Sequence, residues 1–353
     1  MLVSMTTNHL IWWVLGGWQL LRRFTFQPLG FVSAAEGFVF LSGLVAGMVF
    51  ARVSRQKGNA ALRRLAFERA RTIYLWHAFL FVAVFVASSF SPPLSDFFWQ
   101  SMDPRFHDRD LLALGLGLTL LYQPQGLDIL PMYCFFLVIT PFVMSQIELG
   151  RGFRVLVTSA AIWGVAQAPA RELAVGLVSD FIPINLGYFD ILAWQFLFII
   201  GLVAGSWSYQ HGKASISPRL RSILLMLCIA LGSMFFVQRH ALLDFEIIPY
   251  LDALTRRSAL RPLRLLNFLV IAYLIARVGV KSEKILSWRW LAFLGQHSLQ
   301  VFSFQILLFF ALFPFGESLT ALSSTGKIGV LTIVVLSSSL PASLHKRYRE
   351  WRA

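Results

Sequence analysis

Charge is scarce in this chain. Of its 353 residues 14% are charged, against 57% hydrophobic and 15% aromatic, and the mean hydropathy is +0.67. A soluble domain carries about a quarter charged residues, so two or three soluble domains are excluded and the chain belongs in lipid. Cysteine is nearly absent too. Cys134 and Cys228 both lie inside apolar runs, which excludes a disulfide framework and marks both as small core residues. The start, MLVSMTTNHLIWW, has no basic region followed by a small-residue cleavage site, so no cleavable signal peptide is expected. Internal repeats, Ser/Gly linkers and low-complexity tracts are missing as well. The economical reading is one integral-membrane domain over 1–353.

Acidic residues are outnumbered: 17 Asp+Glu stand against 31 Lys+Arg, a formal net charge of +14. Such a balance suits a nucleic-acid binder, but in a membrane protein basic residues are retained on the cytoplasmic side. Their positions decide. A spanning helix needs about 20 mostly apolar residues. Hydropathy places spans near 1–21, 31–51, 70–90, 128–147, 154–169, 190–208, 221–238, 263–278, 291–313 and 327–344. The apolar run 111–122 is too short and reads as a re-entrant or interfacial helix.

With the N-terminus inside, 20 of the 31 basic residues fall on the inner segments 52–69, 148–153, 209–220, 279–290 and the tail from 345, or at adjoining helix ends. Inner positions include Lys213 and Lys284, while 13 of the 17 acids fall outside. Counting 111–122 as a crossing would spoil this asymmetry. The expectation is therefore an all-α polytopic membrane protein with about ten transmembrane helices and both termini cytoplasmic, 345–353 being a basic cytoplasmic tail. The cations are spread over several loops, so nucleic acid is not an expected partner; anionic membrane lipid is.

Ionisable and polar groups in or beside spans are expensive, which makes them candidates for function. His9 follows Thr6, Thr7 and Asn8 on the first span, and Glu36 sits five residues into the second, where it should face the interior and find a partner. Asp128 opens the fourth span, with Tyr133 beyond it. Asp190 opens the sixth, followed by Trp194 and Gln195. Each aspartate also suits a helix N-terminus, where the dipole favours negative charge. Arg264 and Asn267 open the eighth span, and His297 lies about a turn into the ninth. Except for His297, these residues all fall towards outer helix ends, as an outward-facing polar cavity requires. HxxxH, HExxH and Cys–His spacings are absent, so no metal is expected. P-loop and dinucleotide glycine patterns are absent too, so no permanently bound cofactor is expected.

The segments SAAEGFVFLSGLVAG, ERARTIYLWH, QPQGLDILPMY, FDILAWQFLFIIG, LRLLNFLVIAYL and LGQHSLQVFSF follow one another in order. Together they make the chain resemble the OpgC family of membrane acyltransferases, related to the acyltransferase-3 superfamily, from about residue 5 to 313. The resemblance implies a multi-pass protein of the bacterial inner membrane that transfers succinyl from cytoplasmic succinyl-CoA, or another acyl-CoA, to periplasmic glucan. The family pattern also has an Arg upstream of the His matching His9, at a position that would precede Met1. Either the start is placed too late, which is the favoured expectation because the other motifs read intact, or the chain has lost part of its first helix.

On this reading His9 is the general base on a glucan hydroxyl and Glu36 orients its imidazole. Asp128, Tyr133 and Asp190 bind sugar hydroxyls, Trp194 stacks on a sugar face, and Arg264 clamps the succinyl carboxylate. Gln195, Asn267 and His297 complete the expected substrate-binding set. The alternatives are transfer of acetyl or another acyl group to a different envelope polysaccharide, and a secondary transporter using the same polar groups. Matched repeats and broken midplane helices, which transporters tend to show, are not seen in the sequence.

Overall fold

The computed structural model describes residues 1–17, 29–107, 109–179, 181–212, 217–240, 251–281 and 288–352. The end of the first expected span (18–21), Lys213, Lys284 and Ala353 lie outside the described residues. In chain order the α-helices are α1 (Leu2–Trp13), α2 (Ala34–Ser88), α3 (Pro92–Trp99), α4 (Asp110–Leu118), α5 (Ile129–Glu148), α6 (Gly152–Val165), α7 (Ala170–Ser179) and α8 (Ile191–His211). They continue as α9 (Pro218–Arg239), α10 (Leu251–Thr255), α11 (Pro262–Lys281), α12 (Arg289–Gln296), α13 (Ser298–Leu312), α14 (Gly316–Thr320), α15 (Ser324–Ser337) and α16 (Ser339–Arg352). Extended pairing among the described residues is limited to a parallel bridge between Tyr122 and Asn185.

The protein is a membrane protein by its helices. Six helical stretches among the described residues are long and apolar enough to cross a bilayer: Ala34–Ser88, Ile129–Glu148, Ile191–His211, Pro218–Arg239, Ser298–Thr320 and Ser324–Trp351. The shorter α6 is also apolar. Their outward surfaces are oily: Phe142 is 72% exposed, Phe153 79% and Ile333 69%, as acyl chains, and not water, would favour.

Several boundaries differ from the hydropathy reading, and the expected span 327–344 divides at Ser338. The second and third expected spans and the basic stretch between them form the single helix α2, interrupted at Gly58, whose φ of 80° and ψ of 171° are not helical. The basic stretch is helical because ALRRLAFERAR consists largely of strong helix formers, supported by an Arg64–Glu68 pair one turn apart at 2.8 Å. The expected span 291–313 divides at His297 into α12 and α13. The expected tail from 345 is helical through Arg352 and continues α16. The run at 111–122 contains only the nine-residue α4, about 14 Å long and too short to cross.

Two compact units emerge from the packing. Unit one comprises Met1–Gly37, Ser217–Leu251 and Leu263–Ala353; unit two comprises Phe38–Ile216 and Asp252–Pro262. In unit one α1 lies along α13 and α15, and α16 covers α12 and α13. In unit two α6 runs along α8, and α5 packs on both.

A glycine pair on each of two helices sets the closest approach in unit two. A Cβ on Gly43 would strike the Phe198 carbonyl oxygen, and one on Gly47 the Leu202 carbonyl oxygen. Reciprocally, Gly201 leaves no room before the Phe40 carbonyl, nor Gly205 before that of Leu44. Small residues four apart let helices in lipid touch backbone to backbone, where packing replaces the hydrophobic drive. Gly47→Val is expected to pry α2 from α8 and cost about 1–3 kcal/mol. Thermal unfolding of the detergent-purified protein reads this, and an unchanged melting temperature would refute the contact.

Candidate functional site

The site builds from the first turn of α2. Ser33 precedes the helix and Glu36 stands three residues later, an S-x-x-E sequence of the capping-box kind. Glu36 Oε2 accepts from the Ser33 backbone N–H at 2.8 Å and from the Ser33 hydroxyl at 2.6 Å. The carboxylate is wholly buried. Its other oxygen, Oε1, accepts no hydrogen bond among the described residues but faces Arg264 Nε at 3.4 Å. Glu36 therefore finds the interior partner that its cost in an apolar helix demands.

Arg264 and Asn267 lie one turn apart on α11 and grip the same residue of unit one. Arg264 donates to the Phe31 carbonyl, while Asn267 Oδ1 accepts from the Phe31 N–H at 2.7 Å. Asn267 is fully buried, and its Nδ2 has no hydrogen-bond partner among the described residues. The Phe31 ring meets Phe235 edge-on at 6.4 Å, with the Arg239 guanidinium 5.8 Å from its centre. A short loop, a helix start and α11 thus converge on a buried ion pair, with the Asn267 Nδ2 donor beside it.

His9 sits on α1, partly accessible. Its ring stacks on Trp13 at 5.0 Å and meets Phe309 edge-on at 5.4 Å, which fixes the plane of the imidazole. The neighbouring hydroxyls serve the helix itself, Thr6 donating to the Leu2 carbonyl and Thr7 to that of Val3. Buried Asn8 keeps an Oδ1 with no partner among the described residues. Met1 rests against Gly37, so α1 begins beside the turn that carries Glu36. His297 forms the joint between α12 and α13, where its Nδ1 lies 2.8 Å from Nδ1 of His345 on α16. One of those nitrogens must donate and the other accept.

In unit two the expected sugar ligands hold loops together. Asp128 does not cap α5; its Oδ2 accepts from the Tyr188 N–H at 2.9 Å, and Arg257 lies 5.1 Å from the Tyr188 ring centre. Asp190 does cap α8, accepting from the Leu192 N–H at 2.9 Å, and its own N–H donates to the Ser258 carbonyl. Trp194 donates its indole N–H to the same carbonyl at 2.9 Å. Its side chain is fully buried and presents no face to a sugar in this conformation. Gln195 and Ser159 exchange two hydrogen bonds, at 2.6 and 2.8 Å, and the Tyr133 hydroxyl donates to Ser42 at 3.2 Å.

The structure therefore joins Glu36, Arg264 and Asn267, sets His297 against His345, and gathers Asp190 and Trp194 on Ser258. Ser33, Ser258, Arg257 and His345 enter these groups although the sequence reading did not select them. Only Ser33 carried a local signal, its spacing to Glu36. Among the described residues no cluster of three His, Cys, Asp or Glu side chains could hold a metal ion.

A family model described as OpgC protein matches residues 1–350 of the chain. No curated protein and no solved structure matches it.

Proposed function

This chain belongs to the OpgC family, and on that premise we propose that it moves a succinyl group from cytoplasmic succinyl-CoA to a hydroxyl of periplasmic glucan, from within the inner membrane. The match across 1–350 carries this reading, because membership supports glucan-modifying acyl transfer in general. The membrane arrangement that goes with it is ten crossings with both termini cytoplasmic, supported by the inward bias of basic residues.

His9 serves as general base. It takes the proton of the sugar hydroxyl as that oxygen attacks the thioester carbonyl carbon, and the C–S bond breaks when the tetrahedral intermediate collapses. The departing thiolate recovers the proton from the imidazolium, so charge and atoms balance. Glu36 is the negative partner for the cation that forms. Arg264, already engaged by Glu36 and the Phe31 carbonyl, acts by holding that carboxylate and the loop. Asn267 Nδ2, buried and without a hydrogen-bond partner among the described residues, is a donor offered to a sugar hydroxyl.

The test is reconstitution in vesicles, with radiolabelled succinyl-CoA on the cytoplasmic side and glucan on the other. Succinate esters on the glucan are the expected product. Uptake of a solute with no acyl-CoA present, and no ester, would replace the enzyme by a transporter.

A further inference from the structure

Unit two also holds a cleft of about 360 Å³ at the break in α2, lined by Ser54, Arg55, Gly58, Asn59, Glu148 and Gln210. Gly58 creates it by turning the chain out of helical geometry. The break leaves Ser54, Arg55 and Asn59 facing the last residue of α5 and the penultimate residue of α8. The size lies near the lower end for ligand pockets, about 300–1,000 Å³. No apolar side chain lines the cleft, although it sits in a chain that is otherwise mostly hydrophobic.

What the cleft offers can be counted atom by atom. The Ser54 hydroxyl donates to Asn59 Oδ1 at 2.7 Å, which leaves the Asn59 NH2 as a donor. Gln210 Nε2 donates to Ser206 Oγ at 3.2 Å, which leaves its carbonyl as an acceptor. Glu148 Oε1 is buried and has no hydrogen-bond partner among the described residues. The Arg55 guanidinium lies 5.9 Å from the centre of the Tyr209 ring.

A simple anion would satisfy Arg55 but meet repulsion from Glu148. A neutral sugar would satisfy the amides and the carboxylate yet leave the cation unused. A nucleoside phosphate satisfies all four. Its base edge offers the donor and acceptor that amide side chains read, adenine being the base that Asn and Gln pair with. Its ribose hydroxyls donate to a carboxylate, and its phosphate meets the guanidinium.

We propose that the cleft at the α2 break binds the adenosine phosphate end of the acyl donor. The identity of that donor rests on the function proposed above; the cleft's chemistry does not. Arg52, Lys57, Arg63 and Arg64 on the same helix are exposed and draw a polyanion towards this end.

The experiment uses the purified full chain in nanodiscs and adenosine 3′,5′-bisphosphate, which has no acyl group, followed by calorimetry. Saturable binding is expected, weakened about tenfold or more by Arg55→Ala and by Glu148→Gln, with exposed Arg347→Ala as the surface control. In acyl transfer the same two variants raise KM for succinyl-CoA and leave kcat unchanged. Native melting with unchanged nucleotide affinity in both variants overturns the proposal. So does displacement of the nucleotide by glycerophosphoethanolamine, whose ammonium and phosphate would make this a lipid headgroup site. If the nucleotide binds as expected but no acyl group moves, the proposed function fails and the cleft stands. Transfer with KM unaltered in both variants has the opposite meaning.

Discussion

Arg264→Ala is expected to destabilise the protein by about 3–5 kcal/mol, the cost of leaving a buried charge without its partner. Glu36 is fully buried and meets Arg264 Nε at 3.4 Å; with the guanidinium gone, Ser33 alone among the described residues still contacts the carboxylate by hydrogen bonds. The loop suffers as well, since the same side chain donates to the Phe31 carbonyl. Glu36→Gln combined with Arg264→Met removes both charges and should recover much of the loss, because paired replacement of buried ions by matched groups is often close to neutral. Reversible unfolding of the wild type, Glu36→Gln, Arg264→Met and the double variant in mixed micelles closes the double-mutant cycle. If Arg264→Ala unfolds like the wild type, the ion pair is not what holds α11 to the start of α2.

His9→Ala is expected to lower the rate of acyl transfer by about 10²–10⁴, the usual contribution of a positioned general base. The loss should fall on kcat, with little change in KM for the donor. Truncation also opens a gap between Trp13 and Phe309, rings that lie 5.0 and 5.4 Å from the imidazole. His9→Gln is therefore the better probe of chemistry, since it fills more of that space and cannot act as a base. A variant that retains the wild-type rate with native melting would remove His9 from the chemistry.

These residues also show where a sequence can and cannot be read. Glu36 was conspicuous because a carboxylate in an apolar helix must have a partner, and Ser33 was within reach through its three-residue spacing. That Arg264 is the partner could not be read, since 227 residues intervene and only tertiary packing brings them together. Asp190 fulfilled the helix-start expectation, accepting from Leu192 N–H; the similar-looking Asp128 instead binds the Tyr188 N–H of a distant loop. Trp194 was read as a platform for a sugar. Its partner is the Ser258 backbone carbonyl, and a main-chain acceptor leaves no mark on residue identity. The basic stretch after Arg52 is too charged to be a hydropathy span, yet its Ala, Leu and Arg content favours a helix.

The contact between α2 and α8 has a consequence for how the protein is made. Gly43 and Gly201 are about 160 residues apart, and synthesis runs at about 5–20 residues per second. Once α2 has left the ribosome, roughly 10–30 s pass before its partner exists. During that interval its glycine stripe lacks the α8 backbone that it packs against. Translation speed, as well as sequence, therefore sets how long this helix waits for α8.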